Sequence, residues 1–426
     1  MRIAPPDLAL ASRLFAELRA AGFDGNGITR DTYGPGEQRA HDLMAETARG
    51  LGLAVRTDAA LNLYLTLPGR DPAAPVVMTG SHLDSVPLGG NYDGAAGGVA
   101  GLAVLAGWCA AGAVPARDVT VVALRAEESA WFPVSYIGSK AAFGLLDADA
   151  LDARRFDTGR TLADHLGGLG GRPAMLAEGM PELRARAIDC FVELHIEQGP
   201  VLLGAGHSIG VVSGICGSLR YRQARVTGRY AHSGATPRMH RQDAVVALAE
   251  LIHGLQSDWA TMEAQGHELT LTFGQVNTDS LQADLSKVAG EACFCIDIRS
   301  RSTETLAEMD RRIRLSAQVL GATHGVVFDL GRQSGSQAAE MDANLRRALV
   351  QAAAAQGLAA PVLPSGAGHD AATFANAGVP AAMLFVRNAH GSHNPDEAMD
   401  AGDFAAATGV LGQVLAQRAG LAAAPR

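Results

Sequence analysis

Histidine, aspartate and glutamate gather at four places in the chain, each directly after a short apolar run. The first is Gly80-Ser81-His82-Leu83-Asp84, continuing to Asn91-Tyr92-Asp93-Gly94. The second is Ala126-Glu127-Glu128-Ser129, and the third is Glu193-Leu194-His195-Ile196-Glu197-Gln198-Gly199. His390-Gly391-Ser392-His393-Asn394-Pro395 is the fourth. Imidazole nitrogen with carboxylate oxygen, and no thiolate, suits Zn²⁺, Mn²⁺, Co²⁺ or Ni²⁺. Two such ions about 3.5–4 Å apart can share a bridging carboxylate and make hydroxide available near neutral pH. A further carboxylate outside the ligand set would take the proton from that water and later give it to a leaving nitrogen. Adjacent Glu127 and Glu128 could divide those two tasks. Singly, each piece has an ordinary explanation: a lone histidine as a hydrogen-bonder, Glu-Glu as a solvated pair, Asp-Gly as a turn, Asp84 as a helix cap. Four such clusters in equivalent positions argue for a shared site.

The apolar runs that precede the clusters are residues 75–79, 119–124, 190–194 and 381–386, and they predict buried strands. A helix-like Ala/Gly/Leu stretch, 95–111, separates the first two. Strands alternating with helices imply an α/β domain with a mostly parallel, mixed sheet flanked by helices. In such open sheets the carboxyl ends of the strands converge on one crevice, where ligands bind. The pattern changes near Ser218. There, strand 220–228, helix 243–255, strands 269–274 and 291–299, helix 304–320 and strand 326–330 spell a βαββαβ order. The first style resumes with helix 344–356, so residues 1–217 and 331–426 predict one domain and 218–330 a smaller domain inserted into it. Residues 147–171, rich in Asp and Gly, read as a loose surface excursion.

At 426 residues the chain exceeds one ordinary core. A formal net charge of −9 and only 5% aromatic residues argue against a nucleic-acid partner. The amphipathic start, residues 1–24, lacks the apolar centre of a signal peptide, and no run is long enough to span a membrane. Five cysteines without a Cys-x-x-Cys pair fit reduced thiols and a cytoplasmic location. Cys293 and Cys295, two apart in a strand, share one face.

These residues resemble the M20 family of metallopeptidases and amidohydrolases, from about Thr29 to the end of the last cluster. Within it they look closest to the branch of N-carbamoyl-L-amino acid hydrolases, allantoate and ureidoglycolate amidohydrolases and β-ureidopropionases. Gly80–Pro87 with 89–94 carries the likeness, and His195-Ile196-Glu197-Gln198-Gly199-Pro200 points to the ureido-hydrolysing branch. The resemblance implies two divalent metal ions with Asp93 as bridge, His82 and His195 completing one site, and Glu128 and His393 the other. It implies Glu127 as general base and Asp84 as the group that holds His82 in its tautomer. The inserted domain would be a lid and dimerisation domain, giving a homodimer. Its His232, in Ala231-His232-Ser233-Gly234, would stabilise the tetrahedral intermediate, in its own or the partner subunit's site. Arg299 would clamp a substrate carboxylate, Gln198 would contact the ureido end, and Ser365, Gly366 and His369 would belong to a glycine-rich substrate loop.

Three departures bear on substrate identity. Residues 129–132 read Ser-Ala-Trp-Phe where many members of the branch have Gly-Ser-Arg-Phe. Residues 286–290 read Ser-Lys-Val-Ala-Gly in place of an asparagine before Val-Pro-Gly, and Arg238 replaces a common methionine. The expectation is hydrolysis of the C–N bond of a small N-carbamoyl amino acid or related ureide bearing a carboxylate. Allantoate or ureidoglycolate is the nearest alternative, then an aminoacylase or dipeptidase substrate, then a non-catalytic binding relative.

Overall fold

The computed structural model describes residues 4–421; the outermost residues of the expected larger domain, 1–3 and 422–426, lie outside the described residues. Two compact units divide the chain. One runs to Ser213 and resumes with Glu340–Ser365 and again from His369; the other comprises Gly214–Ala339 with Gly366–Gly368.

The first unit is built on a mixed sheet. Its strands are β1 (Ala54–Thr57), β2 (Leu63–Leu67), β3 (Val76–His82), β4 (Val119–Leu124), β5 (Ile188–Ile196), β6 (Ile209–Ile215) and Ala381–Val386. They lie in the order β1-β2-β4-β3-β5, then Ala381–Val386, then β6. β3 is parallel to both β4 and β5, and Ala381–Val386 is parallel to β5. The four strands expected from the apolar runs are therefore neighbours pointing the same way. Their carboxyl ends, which carry the four clusters, come out side by side. β2 and β6 are antiparallel to this central block.

Small residues let helix and sheet approach closely. Helix α1 is Leu8–Gly22, α2 is Pro35–Gly50 and α3 is Ala95–Ala110. α3 is buried on every side from Ala95 to Trp108, as its uniformly apolar sequence requires. A Cβ on Gly97 would stand 2.3 Å from the Leu194 carbonyl oxygen, and one on Gly101 2.9 Å from a Val121 methyl. The excursion at 147–171 is more ordered than its composition suggests. It forms a 3₁₀ turn, Ala148–Asp152, and a helix, Leu162–Gly168, whose start is a Thr161/Asp164 capping box. Leu151, Leu162, Leu166 and Leu176 pack with Trp131 and Phe132 in a small core of their own. Leucines this widely spaced leave no periodic signal in the sequence.

The second unit is an antiparallel sheet under two helices. Strands Val276–Thr278, Glu291–Ser300, Gly217–Thr227 and Val327–Asp329 lie in that order. In Glu291–Ser300 burial alternates strictly, so Phe294, Ile296 and Ile298 face the core while Cys293, Cys295, Asp297 and Arg299 share the other face. Helices Ala244–Ala264 and Thr303–His324 close the core with Leu251, Leu255, Met309 and Ile313. No helix among the described residues is long and apolar enough to cross a membrane.

Gly80 shows how tightly β3 is fitted before His82. Its φ is 140°, and a Cβ there would lie 1.9 Å from the Val122 carbonyl oxygen on β4. Gly80→Ala is expected to cost about 3 kcal/mol by forcing the two backbones apart. Urea unfolding monitored by circular dichroism measures this; an unchanged midpoint would contradict the packing described.

Candidate metal centre

His82 ends β3 and His195 lies one residue before the end of β5, both almost fully buried. The His195 Nδ1 is 2.9 Å from the Ile196 carbonyl oxygen, and the His82 Nδ1 is 3.1 Å from the Asp84 carbonyl and 3.3 Å from its Oδ1. Each Nδ1 therefore carries the proton and donates it, which turns Nε2 inward; that of His195 accepts the Gly94 N–H at 3.2 Å. The two Nε2 atoms face each other 3.4 Å apart. Asp93 Oδ1 lies 3.2 Å from the His195 Nε2. Two imidazole nitrogens and a carboxylate oxygen thus converge at one point, as a cation would require.

Asp93 presents its other oxygen to a second group. Its Oδ2 is 3.3 Å from the His393 Nε2, which is in turn 3.3 Å from Glu128 Oε1. His82, Asp93 and His195 form one set of possible ligands, and Asp93, Glu128 and His393 form another; within each, one atom per residue lies within 4.8 Å of the others. Glu193, His195 and His369 make a third such set. Both Glu193 oxygens already accept hydrogen bonds, from the Ser81 hydroxyl at 2.6 Å and the Ala371 N–H at 2.8 Å, so a structural role accounts for it.

The two glutamates are aimed from the backbone. Ala126, just past β4, has φ 56°, a conformation that costs free energy outside glycine. The N–H groups of residues 126–128 are each held by a buried carboxylate. Ala126 donates to Glu37 Oε1 at 2.9 Å, Glu127 to Asp84 Oδ1 at 3.1 Å and Glu128 to Asp84 Oδ2 at 3.2 Å. Asp84 thus orients His82 and both glutamates at once. Burial pushes the Glu127 carboxyl well above the usual range, with His82 opposing and Glu128 adding to the rise. Burial likewise holds His195 down, to about 4, keeping it a neutral lone-pair donor, whereas hydrogen bonds to Asp93 and Glu128 push His393 up to about 11. Crowded, buried carboxylates of this kind are short of positive charge. The donor set and its electrostatics fit divalent cations.

Gln198, expected at the ureido end of a substrate, donates both ways to Asp93, at 3.1 and 2.9 Å from its two oxygens. Its own Oε1 is buried without a hydrogen-bond partner. His369 sits in the same region, its ring 4.5 Å from that of His195 and its Nε2 2.8 Å from the Ser365 hydroxyl. His232 and Arg299 belong to the second unit, as does Gly366. The His232 Nδ1 accepts the N–H groups of Gly234 and Ala235 at 3.1 and 3.2 Å, which leaves Nε2–H as a donor. Arg299 donates to Asp297 at 2.9 Å and to the Gly366 carbonyl at 3.3 Å.

Sequence reasoning passed over several contributors. Glu397 accepts the N–H groups of Tyr92 and Asp93 at 2.8 and 3.2 Å. The Ser392 hydroxyl lies between Asp93 Oδ2 and Glu397 Oε2, at 2.7 and 2.6 Å. Arg30, Thr32 and Glu37 approach from the N-terminal segment. Only Ser392 stands in one of the four clusters, as a serine between histidines; the others are isolated polar residues in helix-starting or turn sequence.

A family model described as Peptidase family M20/M25/M40 matches residues 78–417. An N-carbamoyl-L-amino acid amidohydrolase of Geobacillus stearothermophilus is 34% identical over 373 residues, 87% of this chain and 88% of that one. An allantoate amidohydrolase of Escherichia coli is 32% identical over 394 residues, 92% and 93% of the two chains. Among solved structures, a hydantoinase/carbamoylase family amidase from Burkholderia ambifaria is similar with a TM-score of 0.80 and 31% identity, covering 100% of both chains. With the match running through every residue of both ligand sets, from His82 to His393, the chain belongs to peptidase family M20/M25/M40.

Proposed function

We propose that the chain is a metal-dependent hydrolase that cleaves the C–N bond of an N-carbamoyl amino acid or a related ureide bearing a carboxylate. The observation that carries this reading is Asp93, whose two oxygens face a pair of imidazoles on one side and a glutamate with a histidine on the other. His82 and His195 would hold one divalent ion, Glu128 and His393 a second, with Asp93 between them; Zn²⁺, Mn²⁺, Co²⁺ and Ni²⁺ all suit these donors. Bound there, such a pair lowers the pKa of water and polarises a carbonyl.

The chain's own groups supply the rest. Glu127 takes the proton from the attacking water and delivers it to the departing amino nitrogen as the C–N bond breaks. A carboxyl held above the usual range can serve in both directions. The unpartnered Gln198 Oε1 is an acceptor suited to the NH₂ of a ureido group. His232, with Nε2–H as its donor, would stabilise the oxyanion, and the Arg299 fork would bind the substrate carboxylate. The carbamic acid released decomposes to ammonia and carbon dioxide. Residues 218–330 as a lid and dimerisation domain, a homodimer and a cytoplasmic setting belong to the same proposal. Similarity to an allantoate amidohydrolase supports allantoate or ureidoglycolate as the alternative substrate.

Three measurements test the reading. Glu127→Gln is expected to retain both ions by elemental analysis while turnover falls about a hundred- to ten-thousand-fold; metal content that falls with activity would contradict the division of labour between the two glutamates. Adding Mn²⁺ or Zn²⁺ to chelator-treated protein at about one hundred times the dissociation constant should raise the unfolding free energy by about 2.7 kcal/mol for each ion bound, read by calorimetry, and no shift would remove the metal centre. Ammonia release from N-carbamoyl amino acids, allantoate and ureidoglycolate, set against amino-acid release from N-acetyl amino acids, separates the substrates. Activity on the acetyl compounds alone would end the ureide assignment.

A further inference from the structure

The metal-centre loops are braced by a segment, residues 30–37, that precedes the region matched by the family model. Arg30 is 1% exposed, and its guanidinium reads only neutral acceptors. Nε donates to the Leu83 carbonyl at 2.6 Å, Nη1 to the Asn91 carbonyl and Oδ1 at 3.5 and 3.4 Å, and Nη2 to the Asp93 carbonyl at 3.4 Å. One planar fork thereby spans the loop that follows His82 and the loop that carries Asp93. Its own backbone is locked as well, since the Arg30 N–H donates to the Ser85 hydroxyl and the Ser85 N–H donates to the Arg30 carbonyl, both at 2.9 Å. Among the described residues no carboxylate comes within ion-pairing distance of Arg30. Burial is the largest influence on its pKa, pulling it down, and the charges of Glu397, Asp93, Asp84 and Glu128 oppose that pull. Two residues on, the Thr32 hydroxyl donates to Asp84 Oδ2 at 2.6 Å, the same oxygen that receives the Glu128 N–H. Glu37 then fixes Ala126.

A fully buried cation normally sits against a carboxylate, because desolvating it unpaired costs several kcal/mol. Here the carboxylates nearby are the ones required at the metal centre, and Arg30 touches the backbone that holds them instead. A lysine could carry the charge but not the fork: its ammonium is a single point and cannot bind both loops with fixed geometry. We propose that Arg30, seconded by Thr32, is a positioning residue that sets the separation of His82, Asp84 and Asp93 and so the affinity for the cations held among them. The inference rests on the metal-centre reading above.

Equilibrium dialysis and cobalt absorption spectroscopy on the full chain test it, comparing wild type with Arg30→Lys and Thr32→Val, each first shown by circular dichroism to be folded without metal. Arg30→Lys is expected to weaken Co²⁺ and Zn²⁺ binding about 10- to 100-fold and to alter the visible cobalt spectrum. Thr32→Val should do the same more weakly. A merely structural role would lower the unfolding midpoint and leave affinity and spectrum as in wild type, and that result overturns the inference. Should Arg30→Lys fail to fold, wild-type cobalt affinity and spectrum in Thr32→Val overturn it alone. A wild-type chain that takes up no cation would instead sink the metal-centre reading, and this inference with it.

Discussion

The constraint on which the rest of the structure depends is electrostatic. Asp84, Asp93, Glu127, Glu128 and Glu397 are all buried within a few residues of one another in space, and Arg30 is the fixed positive charge set among the loops that carry them. Removing ionised carboxylates from water is expensive unless hydrogen bonds and counter-charges replace the lost solvation. The chain supplies the hydrogen bonds: Asp84 accepts two backbone N–H groups and a hydroxyl, and Glu397 two N–H groups and a hydroxyl. The two candidate ligand sets are where further counter-charge could enter. Burying so many carboxylates together costs stability, so the loops around them need support from outside.

That support explains several local oddities together. Ala126, Gln198, His390 and His393 all adopt positive φ without being glycine, at 56°, 63°, 65° and 61°. Each lies in a loop that follows one of the parallel strands, where the chain must turn sharply to aim a side chain back across the strand ends. Strained backbone persists only where its surroundings over-determine it. Ala126 is held by Glu37, and Gln198 by the Asn388 side chain, which accepts its N–H at 3.0 Å. The parallel block β4-β3-β5 with Ala381–Val386 is the rigid part, and the strained turns are the adjustment that converts strand ends into a ligand cage.

Most of this block was legible in the sequence, because a strand buried on both faces must be apolar throughout. Residues 119–124 and 381–386 announce themselves that way, and the His/Asp/Glu clusters follow them within a few residues. The candidate ligand sets were legible for a related reason: imidazoles and carboxylates gathered at four neighbouring strand ends have few ordinary uses. What stayed hidden acts through the backbone. Arg30 binds carbonyls, and a carbonyl carries no sequence signature. Glu37 sits in the first turn of α2, where an acidic residue is expected on grounds of the helix dipole alone. Glu397 follows Asp396 in what reads as a solvated turn, yet it is 7% exposed and holds Asp93. Ordering within 147–171 was missed because its leucines meet only after the chain has folded back on itself.

The departures from the family pattern spare both candidate ligand sets. Trp131 replaces a common arginine, and its indole N–H donates to the Ser85 carbonyl at 2.8 Å while its ring stacks on Phe156 and lies under the Arg155 guanidinium at 4.5 Å. It is therefore tied to the loop behind Asp84 and is 6% exposed, so a charge offered by many relatives is replaced here by a packed aromatic. In the second unit Lys287 lies directly opposite His232 in a short antiparallel pair, where the branch carries an asparagine nearby. The Lys287 ammonium there donates to the Gln282 carbonyl at 2.9 Å. His82, Asp93 and His195 are buried at or after strand ends, whereas Lys287 is exposed, so the two groups of positions meet different packing constraints.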